Sequence, residues 1–231
     1  MPAEVDEYGF LRRPSQPQQG KQAKDRAARQ QARAAAQRRA WERFLAVHPV
    51  LIKSAELKAL VRKGIPADLR GKVWRLLVRV DQLRAMEAGD YYERLVQRGL
   101  SDANPFAKQI EKDLLRTFPD NLVFRDAQGE GIASLRRVLA AYSVRNPKVG
   151  YCQSLNFIAA LLLLFAEEVD AFWLLAFLIE RVLCISENAV GGSMKGRRHS
   201  QDPPCPYRAF RFSSYSSVPA RQIYIRTHVR L

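Results

Sequence analysis

At 231 residues and 47% apolar content, the chain is long enough for one domain with a substantial core, plus tails. Its formal charge of +15 would suit a polyanion-binding protein, yet the excess sits at the two ends: residues 1–40 carry nine basic against four acidic groups, residues 41–187 carry 21 against 18, and residues 188–231 carry eight against one. The balanced middle argues against a broad basic platform, and three cysteines with no C-x-x-C spacing beside three histidines argue against a disulfide framework or a zinc site and fit the reduced thiols of the cytosol.

The opening stretch MPAEVDEYGF is acidic and has no apolar run of the signal-peptide kind. Residues 14–23, PSQPQQGKQA, are Pro/Gln-rich and aromatic-free, a composition that predicts disorder. From Asp25 strong helix formers run unbroken to His48 and Pro49, predicting a solvated basic helix whose last turns dock through Trp41, Phe44 and Leu45. Leu57, Leu60 and Val61 follow at helical spacing, with Gly64 as the stop. Pro66 can occupy the first position of a helix over PADLRGKVWRLLVRV, with Asp68 near the favourable end of its dipole.

Asp90 and Glu93 have the spacing of a capping box. Asn104 and Pro105 can start a helix bearing Ile110 and Leu114, which Pro119 ends. Ile132, Leu135, Val138, Leu139 and Tyr142 mark another, stopped near Asn146 and Pro147. YCQSLNFIAALLLLFAEE and DAFWLLAFLIERVL are apolar on most sides, as central helices of an all-α domain are. The longest apolar run, residues 157–166, falls short of a membrane span. No stretch alternates with period two, and no internal repeat is found. After about Ser186 the chain turns rich in Gly, Ser, Pro and Arg and loses every helical stripe, so residues 188–231 are expected to be a disordered basic tail and residues 1–40 a disordered to helical basic extension.

Two candidate sites fail on their own chemistry. Gly71-Lys72 is followed by Val73 where a phosphate-binding loop needs Ser or Thr, and Gly64 lies too far upstream. Cys152 has no histidine close in sequence and reads as a small buried hydrophobe. The tails carry no nucleic-acid-binding signature, which argues against nucleic acid as a partner beyond weak, salt-dependent contact.

Three constellations remain. Arg70 and Trp74 form R-x-x-x-W, one turn apart on one helix face. Ile110, Asp113 and Arg116 form I-x-x-D-x-x-R, continued by TFPDN, and Tyr151 and Gln153 form Y-x-Q within NPKVGYCQSLNFIA. Taken alone, Arg116 reads as a cation complementing a helix C-terminus and Gln153 as a polar residue at a helix start. In this order, with KGIPADLRGKVW before the first and FWLL after the last, the three resemble the TBC family of Rab GTPase-activating proteins over roughly residues 57–184.

That resemblance implies an all-α, multi-helix domain over residues 41–187, and a GTP-loaded Rab-type small GTPase as partner in vesicle trafficking and intracellular protein transport. Arg116 would be an arginine finger and Gln153 a glutamine finger, both supplied in trans, with Arg70, Trp74, Asp113 and Tyr151 supporting them. The chain would have no GTPase activity and no cofactor of its own, since GTP and Mg2+ belong to the partner. Its place would be the cytoplasm, with peripheral contact on endomembranes through the basic tails. The alternative is a non-catalytic protein that binds a GTPase or a membrane through a partial TBC fold. Two departures stand out. Ser154 and Leu155 replace the family's usual Gly and Met, adding bulk where a GTPase backbone should approach. The family domain also runs well past the point where this sequence changes character, so the chain corresponds to the N-terminal part of that domain, and its helices near 151–166 and 171–184 are expected to expose apolar faces.

Overall fold

The computed structural model describes residues 5–11 and 21–183. The basic tail expected over 188–231 and most of the stretch expected to be disordered lie outside the described residues.

Among the described residues nine α-helices follow one another: α1 (Lys21–Val47), α2 (Ala55–Lys63), α3 (Arg70–Val78), α4 (Val80–Ala85), α5 (Tyr91–Gly99), α6 (Ala107–Leu114), α7 (Glu130–Arg145), α8 (Leu155–Leu163) and α9 (Glu168–Phe177), the last running into a wider π-type turn, Leu178–Val182. Among the described residues there is no strand, only isolated bridges pairing Val5 with Leu11 and Phe10 with Asn121. The all-α expectation holds.

Local chemistry explains most boundaries. Ser54 caps α2, its hydroxyl accepting from the Leu57 amide, and Gly64 stops that helix at φ 103°, a positive angle open to glycine. The stretch 66–80 is not one helix. Ala67–Leu69 form a 3-10 turn into α3, and Arg79, at φ 58°, breaks the chain before α4. The capping box expected at Asp90 and Glu93 does not form: Asp90 makes no side-chain cap and lies within 3.4 Å of Arg94 instead.

Two apolar clusters organise the packing. The larger gathers α5 to α9 around α7, whose Ile132, Leu135, Val138, Leu139 and Tyr142 are buried, so the periodic stripe is the core stripe. The smaller joins Trp41, Phe44, Leu51, Leu57 and Val73, and the Trp41 indole donates to the Gly64 carbonyl at 2.9 Å. The end of α1 therefore docks as its aromatic residues imply, while residues 25–36 are exposed on every side.

The expectation of apolar faces late in the chain is met in part. Ala171, Phe172, Trp173, Leu174, Leu175 and Ala176 of α9 are all buried, because α7, α8, α3 and α4 pack around them, whereas Phe157, Ile158, Leu161 and Leu163 of α8 are only half-buried. Polar ties fix the same arrangement. Arg75 reaches Asp170 at 3.0 Å, and Glu168 accepts from Arg137 and from the Tyr92 hydroxyl. Burial raises the Glu168 pKa, but the bonds from Arg137 and Tyr92 outweigh it and hold the carboxyl below its usual range.

Candidate functional site

α6 ends at Leu114, and Arg116 lies just beyond it, its amide donating to the Asp113 carbonyl at 3.2 Å in a last tight turn. Pro119 disfavours right-handed helical φ/ψ at Phe118, which takes φ 51°. For a bulky residue the left-handed region costs about 1–2 kcal/mol. Here the ring is held by three others: Phe10 at 5.3 Å, Phe157 at 5.5 Å and Phe124 at 6.2 Å between centroids.

The second turn lies between α7 and α8. Gly150 has φ 58°, and a Cβ there would run into the Phe106 ring, so only glycine lets the chain pass. Tyr151 then turns inward, Gln153 turns out to solvent, and Ser154, at φ 90°, opens α8. This backbone angle is one that glycine takes freely.

A buried polar chain ties the two turns together. The Tyr151 hydroxyl donates to Asp113 Oδ2 at 2.9 Å, and Gln109 Nε2 donates to the same oxygen at 3.0 Å. Asp113 is only 5% exposed. Burial pushes the Tyr151 phenol well above its ordinary range, and the bond to Asp113 pushes the same way, so it remains a donor. Just past Arg116 and in the first turn of α8, Thr117 Oγ1 donates to the Asp113 carbonyl and accepts from Asn156 Nδ2, both at 2.7 Å, and Asn156 Oδ1 accepts from the Ser154 amide at 3.2 Å. Buried donors and acceptors so satisfied fix a backbone far better than exposed ones do. What remains outside this chain is the Arg116 and Gln153 side chains, both exposed.

Of the six residues singled out in the sequence, Asp113 and Tyr151 meet directly, and Arg116 and Gln153 project from the turns they hold. Arg70 and Trp74 meet elsewhere. The Arg70 guanidinium lies between the rings of Phe165, 4.8 Å away, and Tyr8, 5.3 Å away, while Nε donates to the Ile65 carbonyl. Trp74 packs edge-on to the same Phe165 at 5.4 Å. Thr117, Asn156, Tyr8 and Phe10 were not legible as site residues. The first two stood inside the quoted motifs, in TFPDN and SLNFIA, and could have been found there.

Gly71 lies under the Phe165 carbonyl, where a Cβ has no room, so its role is packing. Cys152 is half-buried, and burial raises its thiol pKa, opposite to what a nucleophile needs. No group of three or more His, Cys, Asp or Glu among the described residues is placed to hold a metal.

Comparison with known proteins extends the geometry. Residues 67–189 match the Rab-GTPase-TBC domain family. The chain is 43% identical over 144 residues to TBC1 domain family member 2B of Xenopus tropicalis, covering 61% of this chain and 15% of that protein. It is 47% identical over 143 residues to the GTPase-activating protein GYP3 of Saccharomyces cerevisiae, covering 57% and 23%. It thus spans less than a quarter of the length of these relatives. Among solved structures, the Chlamydomonas flagellar RabGAP TBC domain superimposes with a TM-score of 0.66 at 32% identity, over 78% of this chain and 59% of that one.

Proposed function

Since the chain belongs to the Rab-GTPase-TBC domain family, we propose that it stimulates GTP hydrolysis by a Rab-type small GTPase in its GTP state, with Arg116 and Gln153 entering the partner's nucleotide site in trans. The observation that carries this reading is the pair of exposed side chains on two turns joined through Asp113, Tyr151, Thr117 and Asn156.

Phosphoryl transfer spreads negative charge over the transferring and leaving phosphates, and a small GTPase without its own arginine hydrolyses GTP slowly. A guanidinium carried just past a helix end can reach into another protein, where one in mid-helix would be flanked by its own turns. Arginine suits the task because its planar fork presents several donors in fixed geometry to phosphate oxygens. Such a residue is worth about 10³ to 10⁵ in rate, or roughly 4–7 kcal/mol of barrier. The neutral amide of Gln153 can accept from the attacking water and donate elsewhere, aligning the nucleophile without adding charge. GTP and Mg2+ belong to the partner, and the chain needs no cofactor of its own. Asp113 and Tyr151 hold the two turns from below, and Arg70 and Trp74 hold the neighbouring end of α8.

Action in the cytoplasm, with peripheral contact on endomembranes through the basic ends, belongs to the same proposal. Its support is the exposed stretch 25–36, where Arg26, Arg29 and Arg33 face solvent against one acidic residue, Asp25. No helix among the described residues is long and apolar enough to cross a membrane.

The test is single-turnover hydrolysis across a panel of GTP-loaded Rab proteins. Arg116→Ala and Gln153→Ala should each abolish the stimulation of a responsive Rab with helicity unchanged. Stimulation that survives both substitutions would refute the assignment. Binding of the GTP form without any acceleration would point to the non-catalytic alternative.

A further inference from the structure

Residues 5–11 lie far upstream of the stretch that matches the family, yet their contacts converge on the turn that carries Arg116. The segment folds back on itself: Asp6 Oδ1 accepts from the amides of Tyr8 and Phe10, each at 2.9 Å, and Val5 pairs with Leu11. In that shape it lies along residues 120–122. The Leu11 amide donates to the Asp120 carbonyl at 2.9 Å, the Leu122 amide to the Gly9 carbonyl at 2.8 Å, and Asn121 Nδ2 to the Tyr8 carbonyl at 2.9 Å. Asn121 is fully buried. The Phe10 ring stands edge-on to Phe118, the residue whose left-handed backbone turns the chain after Arg116. A bulky residue holds such a conformation only where its surroundings enforce it, and Phe10 is one of the three rings that do so.

The other end of the segment reaches Arg70. The Tyr8 hydroxyl lies 3.4 Å from Arg70 Nη2, its ring stacks on the guanidinium, and its edge meets Phe165 at 5.7 Å. Arg70 is 46 positions from Arg116 in the chain, and the structure joins the two through Tyr8 and Asn121.

We propose that residues 5–11 form a positioning strap for the arginine turn, with Phe10 holding Phe118 in its left-handed conformation and Tyr8 coupling Arg70 to residues 120–122. The proposal rests on the reading of Arg116 as the group that enters the GTPase. The strap is not a cover, because Arg116 is exposed with the strap in place. It acts on the backbone two to six residues beyond Arg116, restricting the directions from which the guanidinium can be offered. Phe10 and Tyr8 are positioning residues and touch no reacting atom.

The experiment uses the full chain carrying Phe10→Ala, Phe10→Tyr, Asp6→Ala or Arg116→Ala. A GTP-loaded Rab that the wild type stimulates is the probe, in single-turnover hydrolysis at rising concentrations of the chain. Amide hydrogen exchange of residues 114–119 is followed in parallel, without any GTPase. A displacement of about 1 Å in a catalytic group can cost on the order of a hundredfold, so Phe10→Ala should lower the limiting rate about ten- to a hundredfold. The half-saturating concentration should change much less, and Phe10→Tyr, which keeps the ring, should restore the rate. Asp6→Ala, which opens the strap without touching the helical core, should act like Phe10→Ala. Exchange at 114–119 should quicken in both Phe10→Ala and Asp6→Ala.

An unchanged limiting rate in Phe10→Ala and Asp6→Ala overturns the proposal, and so does unchanged exchange at 114–119. A raised rate overturns it as well, since it would make the strap an inhibitor. If Arg116→Ala keeps the wild-type rate, the catalytic reading fails instead, and the exchange data still decide whether the strap orders the turn.

Discussion

In the turn after α6 the left-handed residue is Phe118, buried and held by Phe10, Phe124 and Phe157; in the turn before α8 it is Ser154, half-buried and with no side-chain bond to the helix it opens. Both turns put an exposed, chemically capable side chain within two residues of a strained backbone angle. They differ in what offsets the strain. Ring contacts repay it at Phe118, whereas at Ser154 the ties are backbone ones, its amide donating to Asn156 Oδ1 and its carbonyl accepting from the Ile158 amide. The arginine turn is thus fixed by its own strained residue, and the glutamine turn by the residues around it.

Removing the side chain at the two left-handed positions is the sharpest way to break that comparison, because the effects should have opposite signs. Phe118→Gly relieves the backbone but empties a buried aromatic site, and should destabilise by about 3–5 kcal/mol in chemical denaturation. Asp113→Ala should follow at about 2–3 kcal/mol, since it strands the buried Tyr151 hydroxyl, while the exposed Gln109 amide can turn to water. Asp113→Asn, which keeps an acceptor, should cost less. Gly150→Ala forces a Cβ into the Phe106 ring at a positive φ and should cost about 2 kcal/mol, with loss of Rab stimulation.

Asn156→Ala should cost about 1 kcal/mol and uncouple the turns. A double-mutant cycle with Thr117→Val should return a coupling of about 1 kcal/mol; additivity would deny the link. The smallest effect is the one of reversed sign: Ser154→Gly should stabilise by about 1 kcal/mol in thermal melts.

Much of this was legible in the sequence, and the misses share a physical cause. The stripe Ile132, Leu135, Val138, Leu139 and Tyr142 gave α7 because burial follows helical period. Asp113 and Tyr151, singled out within I-x-x-D-x-x-R and Y-x-Q, meet in a buried hydrogen bond, since a buried carboxylate needs a donor and a buried phenol an acceptor. Asp90 and Glu93 misled, since spacing alone does not set the backbone angle that a cap needs. Arg79 and Phe118 carry no mark of left-handedness in the sequence; at Phe118 the ring contacts with Phe10, Phe124 and Phe157 hold it. Tyr8 and Phe10 were invisible for the plainest reason. Their partners lie 62 and more positions away, and no local pattern encodes a contact of that range.

The helix α3 is a wall shared by two rooms. On one side Val73 closes the small cluster that seats Trp41 of α1; on the other, Arg70 and Trp74 press on Phe165. A helix is stiff along its axis and turns as a unit, so Val73 cannot shift without swinging Arg70 against the rings of Tyr8 and Phe165. Tension applied to the exposed arm of α1, for instance by anchoring it to a charged surface, would therefore be felt as torque at the strap.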